Sequence, residues 1–230
     1  MTEQKLNRSG YQRFVQIGAM VTVIGLTLFI AAGRFDWTNA WAYLGLYAGS
    51  IVLGGAWMVR KHPEVINERG RADPNTKSFD RIIAPFYLLA GVAQFVVAGL
   101  DARWGWSNVP FWLQAAGGTG LVLSMLGVYW AMANNPFLAT TVRIQNERGH
   151  RVATTGPYRF VRHPMYADTL YFFWSGPLLL NSWWAFIPAV LGVVILLIRT
   201  ALEDRTLQAE LPGYREYAQQ VKYRLIPGVW

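Results

Sequence analysis

The chain has 230 residues, enough for one domain or two small ones, and its composition is unusually apolar. Hydrophobic residues make up 53% of the chain and charged residues only 15%, against about 25% in ordinary soluble domains. This balance argues against an ordinary soluble globule. The formal net charge of +8 and the 11 tryptophans leave a nucleic-acid-binding protein and a membrane protein both open. The absence of cysteine excludes disulfides, thiolate metal sites and thiol nucleophiles.

Apolar stretches of membrane-spanning length organise the chain. A helix that crosses about 30 Å of hydrocarbon needs about 20 mostly apolar residues. Four stretches without Lys, Arg, Asp or Glu are near that length: 14–32, 38–59, 82–100 and 110–133. Between 165 and 198 the only charged residue is Asp168, and Asn181-Ser182 indicates a turn at the middle. The sequence predicts an all-α, polytopic membrane bundle of about six transmembrane helices, the last two a helical hairpin with short arms at 165–180 and 183–198.

The distribution of charge predicts the topology. With six crossings both termini fall on one side, and of the 21 lysines and arginines all but Arg34 and Arg103 lie there. Because basic residues are retained in the cytoplasm, both termini are expected to be cytoplasmic. Interfacial tryptophans gather around the three opposite turns: Trp37, Trp41, Trp104, Trp106, Trp112, Trp183 and Trp184. The positive charge therefore indicates membrane topology rather than nucleic-acid binding. We expect a multi-pass protein of the bacterial inner membrane with a cytoplasmic active site.

The densest polar segment precedes the predicted hairpin. Residues 145–166 combine hydrogen-bonding side chains with two glycines and two prolines. Gly156-Pro157 predicts a turn, and Pro164 suits the first turn of a helix, where its missing N–H costs nothing. His163 is then near the N-cap, and the free N–H groups of that helix end suit a ligand carboxylate or phosphate. The alternative is an arginine-rich loop that only anchors the helix at the membrane interface.

A second polar patch follows the last apolar arm. Arg199 and Glu203 are four residues apart, so they share one helix face, either as part of a site or as a simple surface ion pair. Further on, the apolar positions 214, 217, 218 and 221 predict a helix along the membrane surface. That helix either roofs a pocket or only anchors the tail. Three histidines with neither cysteine nor regular ligand spacing argue against a metal site.

These residues together resemble a known enzyme superfamily. The resemblance rests on Gln145, Gly156-Pro157-Tyr158, Arg162-His163-Pro164-x-Tyr166 and Arg199-xxx-Glu203-Asp204-xx-Leu207. This pattern resembles the isoprenylcysteine carboxyl methyltransferase and phospholipid methyltransferase superfamily over roughly the last 95 residues. The earlier helices are similar only in being hydrophobic. The resemblance implies N-terminal transmembrane helices at 1–133 and a methyltransferase-like region at 134–230, with a cofactor loop, the hairpin and an interfacial tail helix.

The resemblance also implies a cofactor and its ligands. Members of the superfamily bind S-adenosylmethionine at the cytoplasmic face, while a lipid-like substrate enters sideways from the membrane. The cofactor-binding positions that it implies are Gln145, His150, Arg151, Val152, Ala153, Tyr158, His163, Pro164, Met165, Tyr166 and Glu203. Arg199 would point towards the substrate, and Arg199 with Glu203 would form the catalytic pair. Two positions depart from the motif, because Asp168 replaces a glycine and Asp204 replaces a second glutamate, so the substrate is not carried over.

Charge considerations restrict the role of Glu203. In methyl transfer from a sulfonium, positive charge disperses in the transition state. A carboxylate against the sulfur would therefore stabilise the ground state more than the transition state. Glu203 is accordingly expected to contact the ammonium group or the ribose hydroxyls of the cofactor.

The sequence thus predicts an integral membrane S-adenosylmethionine-dependent methyltransferase that acts on a lipid-like or small hydrophobic acceptor. Its expected partners are membrane lipids and that acceptor, and neither nucleic acid nor metal; the oligomeric state is left open. Two alternatives remain. Membrane sterol reductases have a similar His-Pro-x-Tyr segment but bind NADPH, whose 2′-phosphate the arginines here would suit. A non-catalytic membrane scaffold that keeps the fold without the activity is the other.

Overall fold

The computed structural model describes residues 5–71 and 75–230, which form eight α-helices and no β-strand. The helices are α1 (Arg8–Ala32), α2 (Thr38–Lys61), α3 (Pro63–Arg69), α4 (Ser78–Trp104), α5 (Phe111–Ala133), α6 (Pro164–Leu179), α7 (Phe186–Glu210) and α8 (Tyr214–Gln220). Five of these, α1, α2, α4, α5 and α7, are long and apolar enough to cross a membrane. The prediction of an all-helical polytopic membrane bundle is confirmed, and the protein is an integral membrane protein.

The hairpin predicted at 165–198 is asymmetric. α6 has only 16 residues, about 24 Å of helix, whereas α7 has 25 and continues the second arm well beyond the apolar stretch. The bundle therefore has five helices of full spanning length and a shorter sixth. At the turn between them, Asn181 has a left-handed backbone, with φ of 59°. Its side-chain oxygen accepts a hydrogen bond of 2.6 Å from the backbone N–H of Val109, which ties this turn to the one before α5.

The short helix α3 was missed by the sequence analysis. Pro63 occupies its first turn, and the helix lies against the start of α1. Gly70, which follows its last residue, permits this contact because a Cβ there would overlap the backbone oxygen of Ser9. The side chain of Asn67 adds a hydrogen bond of 3.0 Å from the backbone N–H of Asn7. Seven residues are too few to give an apolar span, so the search for long apolar stretches could not find this helix.

The core is aromatic and aliphatic, and small residues set its closest helix contacts. The side chains of Leu28, Tyr43 and Leu121 are completely buried where α1, α2, α4, α5 and α6 meet. Gly117 of α5 lies directly against the C-terminal end of α6. A Cβ at Gly117 would be 2.7 Å from the backbone nitrogen of Leu179 and 2.9 Å from the backbone oxygen of Ser175. α5 and α6 therefore pack backbone to backbone at this point.

We expect Gly117→Ala to destabilise the protein by about 1–3 kcal/mol, because the new methyl group meets backbone atoms of α6 that cannot rotate away. Gly45→Ala is the matched control, since a Cβ at Gly45 meets nothing within 4 Å. A helical Gly→Ala change in open space gains about 0.5–1 kcal/mol. Thermal unfolding in detergent measures both. Equal midpoints for the two variants would contradict the packing described.

Candidate functional site

A polar cavity lies between the segment that precedes α6 and the C-terminal end of α7. The space open to water inside it is about 80 Å³, and about 760 Å³ when its open mouth is included. Its walls come from the loop after α5, from the segment 150–166 and from α7 and α8. Ten of the residues that the sequence analysis proposed line it: His150, Arg151, Val152, Ala153, Tyr158, His163, Pro164, Met165, Tyr166 and Glu203. Two others, Gln145 and Arg199, lie outside the lining.

Gln145 is buried behind the cavity wall. Its side-chain nitrogen donates a hydrogen bond of 2.5 Å to the backbone oxygen of Phe137, and its side-chain oxygen accepts one of 2.5 Å from Arg148. Both ends of the amide are therefore engaged within the protein. Because Phe137 lines the cavity, Gln145 fixes the position of the wall.

Arg199 is held by a carboxylate that lies 119 positions away in the sequence. Its Nε donates to Asp80 Oδ1 at 2.7 Å, and its Nη2 donates to Asp80 Oδ2 at 3.2 Å and to the backbone oxygen of Thr140 at 3.0 Å. The guanidinium also lies over the ring of Tyr166, 5.4 Å from its centroid. The charge of Arg199 is thus matched inside the protein, and this residue contacts the cavity lining through Tyr166.

A hydrogen bond between α6 and α7 joins the two polar segments of the sequence. The hydroxyl of Tyr166 donates to Glu203 Oε2 over 2.6 Å. Both residues line the cavity, and Tyr166 also stacks against His163 with 5.9 Å between the ring centroids. The resemblance required these segments to meet, and in the structure they do. Glu203 therefore presents an oriented carboxylate to the cavity.

Asp204, the neighbour of Glu203, is completely buried, and several side chains contact its carboxylate. The contacts are Arg162 Nε at 2.8 Å and Nη2 at 3.1 Å, Gln208 at 2.8 Å, Arg224 Nε at 3.0 Å, the Tyr214 hydroxyl at 3.1 Å and His163 Nε2 at 3.2 Å. The sequence analysis noted Asp204 only as a departure from the motif. The adjacent pair Arg162-His163 and an acidic residue at the end of an apolar helix were the available signals for this cluster.

The tail closes the cavity. Tyr214 and Tyr217 of α8 line it, and the hydroxyl of Tyr217 donates to the backbone oxygen of Tyr158 over 2.7 Å. Beyond α8, the backbone oxygens of Tyr223 and Arg224 accept hydrogen bonds from the N–H groups of residues 162 and 163. Burial raises the pKa of Tyr158 and Tyr217 well above that of free tyrosine, so both phenols stay neutral donors. Of the two roles considered for the tail helix, the structure supports that of a roof.

His150 lines the cavity as a neutral ring. Burial, together with the nearby charges of Arg143 and Arg148, lowers the pKa of His150 to about 4. Its Nδ1 accepts the backbone N–H of Gln145 at 3.3 Å, which assigns the ring proton to Nε2. The ring is stacked on Phe137 with 4.7 Å between centroids. At neutral pH this part of the wall is therefore an uncharged aromatic surface with a hydrogen-bond donor.

Asp168, the other departure from the motif, lies away from the cavity. Its carboxyl group lies against Gly127 of α5, where a Cβ would overlap it, and its backbone oxygen accepts a hydrogen bond of 2.7 Å from Ser124. It is not among the residues that line the cavity. A carboxylate at this position is accommodated by glycine on the facing helix.

The structure thus defines a helical membrane protein with a polar cavity at one end of its bundle. Residues 112–211 match the family model described as phospholipid methyltransferase. This segment runs from α5 to the end of α7, so it begins inside the first of the two predicted regions and contains every proposed site residue. The match confirms the resemblance to the isoprenylcysteine carboxyl methyltransferase and phospholipid methyltransferase superfamily.

One curated protein is similar over a comparable part of the chain. It is the cobalt-zinc-cadmium resistance protein CzcN of Cupriavidus metallidurans, 28% identical over 135 residues. The similar segment covers 56% of this chain and 57% of that protein, so it spans little more than half of either.

Asp204→Asn tests the buried cluster. We expect it to lower the free energy of unfolding by about 3–5 kcal/mol, because two arginines then face a neutral amide in a buried site. Glu216→Gln, an exposed carboxylate on α8, is the control and should change stability little. Thermal unfolding in detergent gives the difference, and proteolysis should cut the tail earlier in the Asn variant. An unchanged midpoint and an unchanged digestion pattern would show that the cluster does not hold the tail.

Proposed function

We propose that this protein is an integral membrane S-adenosylmethionine-dependent methyltransferase that acts on a lipid-like or small hydrophobic acceptor. The observation that supports this best is the cavity in which the segment 150–166 meets the acidic end of α7. That cavity lies within the residues that match the phospholipid methyltransferase family, apart from its roof. Methyl transfer needs a bound donor close to an apolar acceptor, and a polar cavity at the end of a membrane bundle suits both.

The chemistry of the cavity fits this cofactor. Glu203 offers a carboxylate, held by Tyr166, for the ammonium group or the ribose hydroxyls. The stretch 150–153 belongs to no helix or strand, so its backbone groups are not engaged in regular structure and suit the edges of adenine. Tyr158 and Tyr166 offer aromatic surface to a ring or a cation. The ammonium group or ribose, the adenine edges and the aromatic or cationic parts of the cofactor therefore each have a counterpart in this lining.

When bound, S-adenosylmethionine supplies an electrophilic methyl group on a sulfonium. The protein residues bind, orient and exclude water. Tyr214 and Tyr217 cover the cavity, and holding two reactants in line inside a dry site supplies up to about 7–11 kcal/mol in ideal cases. Glu203 contributes best away from the sulfur, where its charge does not favour the ground state. This scheme requires no strong general base.

Two of the proposed residues act indirectly in this scheme. We propose Arg199 as a positioning residue, because its guanidinium lies over Tyr166 while Asp80 holds it in place. Gln145 is likewise a positioning residue, acting through Phe137. Orientation follows from the charges: the positive-inside rule puts this end of the bundle in the cytoplasm, and the membrane would be the bacterial inner membrane.

Binding of S-adenosylhomocysteine tests the cofactor. We expect it to raise the unfolding midpoint of the detergent-solubilised protein, because a ligand that binds only the folded state stabilises it, while NADPH has no effect. Glu203→Gln should weaken binding about tenfold or more, since a hydrogen bond to a charged group is lost. Glu210→Gln is the control on the same helix, because Glu210 pairs with Lys77 and lies outside the cavity.

The contrary outcomes are distinct. Stabilisation by NADPH alone would favour a reductase, and no stabilisation by either compound would favour a scaffold. Equal affinity of the Glu203 and Glu210 variants would remove Glu203 from the site. A labelled-methyl assay with purified protein and total lipid extract then identifies the acceptor from the labelled product.

A further inference from the structure

A second, apolar groove runs along the bundle and is open on one side, where Val23 and Leu88 of its wall are exposed. This groove is formed by α1, α2, α4, α5 and α6 and has a volume of about 660 Å³. Along α1 its wall extends from Gln16 to Thr27, about 16 Å of helix. Most of its lining is aliphatic or aromatic. Its size and chemistry suit a hydrocarbon chain.

Two arginines lie beside the groove and the polar cavity. Arg13 of α1 donates to the side-chain oxygen of Gln16, a residue of the groove wall, at 3.3 Å. Arg69 of α3 lies with its Nη1 3.5 Å from the sulfur of Met165, which lines the polar cavity. Thr169, one turn further along α6, lines the groove and donates to the backbone oxygen of Met165 over 2.7 Å. Arg13 is therefore next to the groove, and Arg69 is next to the polar cavity.

The fold forces these two cations together. Gly70 allows α1 to lie against the end of α3, and the Cβ of Arg13 is 3.1 Å from the place that a Cβ of Gly70 would occupy. Burial, with the nearby charge of Arg13, lowers the pKa of Arg69 to about 9. At neutral pH Arg69 still carries its charge, so two positive groups lie close together next to an apolar cavity.

Neither cation has a counter-ion in the part of the chain that the structure describes. Within residues 5–71 and 75–230, no carboxylate oxygen lies within 4 Å of the guanidinium nitrogens of Arg13 or Arg69. The contrast with Arg199 is informative, because Asp80 neutralises Arg199 at 2.7 Å. Cations next to an apolar interior are costly unless an anion accompanies them. The pair Arg13–Arg69 therefore favours an anionic ligand.

A separate observation comes from the groove wall. Gln94 is 1% exposed, lines the groove, and neither its side-chain nitrogen nor its side-chain oxygen has a hydrogen-bond partner. Buried amides are normally hydrogen-bonded, because leaving them unpaired is costly. A ligand that carries a polar group along its chain would satisfy Gln94.

We propose that the groove binds the methyl acceptor and that Arg13 and Arg69 bind its anionic headgroup, a carboxylate or a phosphate. The apolar chain of this amphiphile lies in the groove, and a polar link in the chain meets Gln94. The inference rests on the proposed function, since the position of Arg69 beside Met165 places the headgroup next to the cavity assigned to the methyl donor. Arg199 is not needed as the acceptor ligand, because its charge is already matched.

The test uses the full chain in nanodiscs of zwitterionic phosphatidylcholine. The three probes are oleate, lysophosphatidate and oleyl alcohol. Arg69→Gln and Arg13→Gln should each weaken binding of the preferred anionic probe about tenfold, because each removes one charge-assisted contact. The affinity for oleyl alcohol should be unchanged. Arg69→Lys should restore part of the affinity. Arg60→Gln, an exposed arginine at the end of α2, is the matched control. Preference for oleate or for lysophosphatidate distinguishes a carboxylate site from a phosphate site.

Two further readouts keep the test decisive. Gln94→Leu should weaken binding of lysophosphatidate, which has an ester link, more than binding of oleate, which has none. Affinity for S-adenosylhomocysteine should be unchanged in the arginine variants. If that compound binds but the anionic probes bind no better than oleyl alcohol, or bind Arg69→Gln and Arg13→Gln as well as the native chain, the groove holds only bulk lipid and the inference fails. If the anionic probes bind as expected but S-adenosylhomocysteine does not, the proposed function fails and the anion site stands.

Discussion

The buried carboxylate of Asp204 is the interaction on which the site depends. From the last turns of α7 it accepts hydrogen bonds from Arg162 before α6 and from Tyr214 in the roof, and it pairs with Arg224 in the tail. These segments all meet at this one carboxylate, and backbone hydrogen bonds between the tail and residues 162 and 163 reinforce the contact. A buried ion pair adds little net stability over an apolar core, but it is costly to break. Its effect here is to specify one arrangement of the cavity walls and to make other arrangements unfavourable.

The same rule explains the other charges of the bundle. Asp80 joins Arg199 to α4, and the buried Arg143 pairs with Glu68 of α3. Each of these pairs connects the C-terminal region with the N-terminal helices, so the two predicted regions do not behave as separate bodies at this end of the molecule. Arg13 and Arg69 differ because no carboxylate of the described chain neutralises them. This exception is the basis of the anionic headgroup site that we propose.

Much of the architecture was predictable because membrane crossing imposes a simple requirement of length and apolarity. α1, α2, α4 and α5 follow the predicted stretches within a few residues, and α8 follows its apolar spacing. α3 was not predicted, because a helix of seven residues has no apolar stretch of spanning length. The first hairpin arm was predicted to within one residue, but the length of the second was not. α7 continues through its charged end because Asp204 and Arg199 have buried partners there, and hydropathy does not show such pairing.

The site was predictable only in part, and for a different reason. Ten lining residues followed from the resemblance, whose motif is local in sequence. The partners of those residues were not predictable. Asp80 is 119 positions from Arg199, and nothing near either residue indicates the pair. Likewise, the closeness of Arg13 and Arg69 depends on α3 lying against α1, a contact that Gly70 permits.

A structure of the full-length protein bound to S-adenosylhomocysteine tests the central claim most directly. The account predicts the compound between the backbone of residues 150–153 and the carboxylate of Glu203, under Tyr214, with the Asp204 cluster intact. A ligand found anywhere else in the bundle, or a cavity that stays closed to it at saturating concentration, would contradict the account.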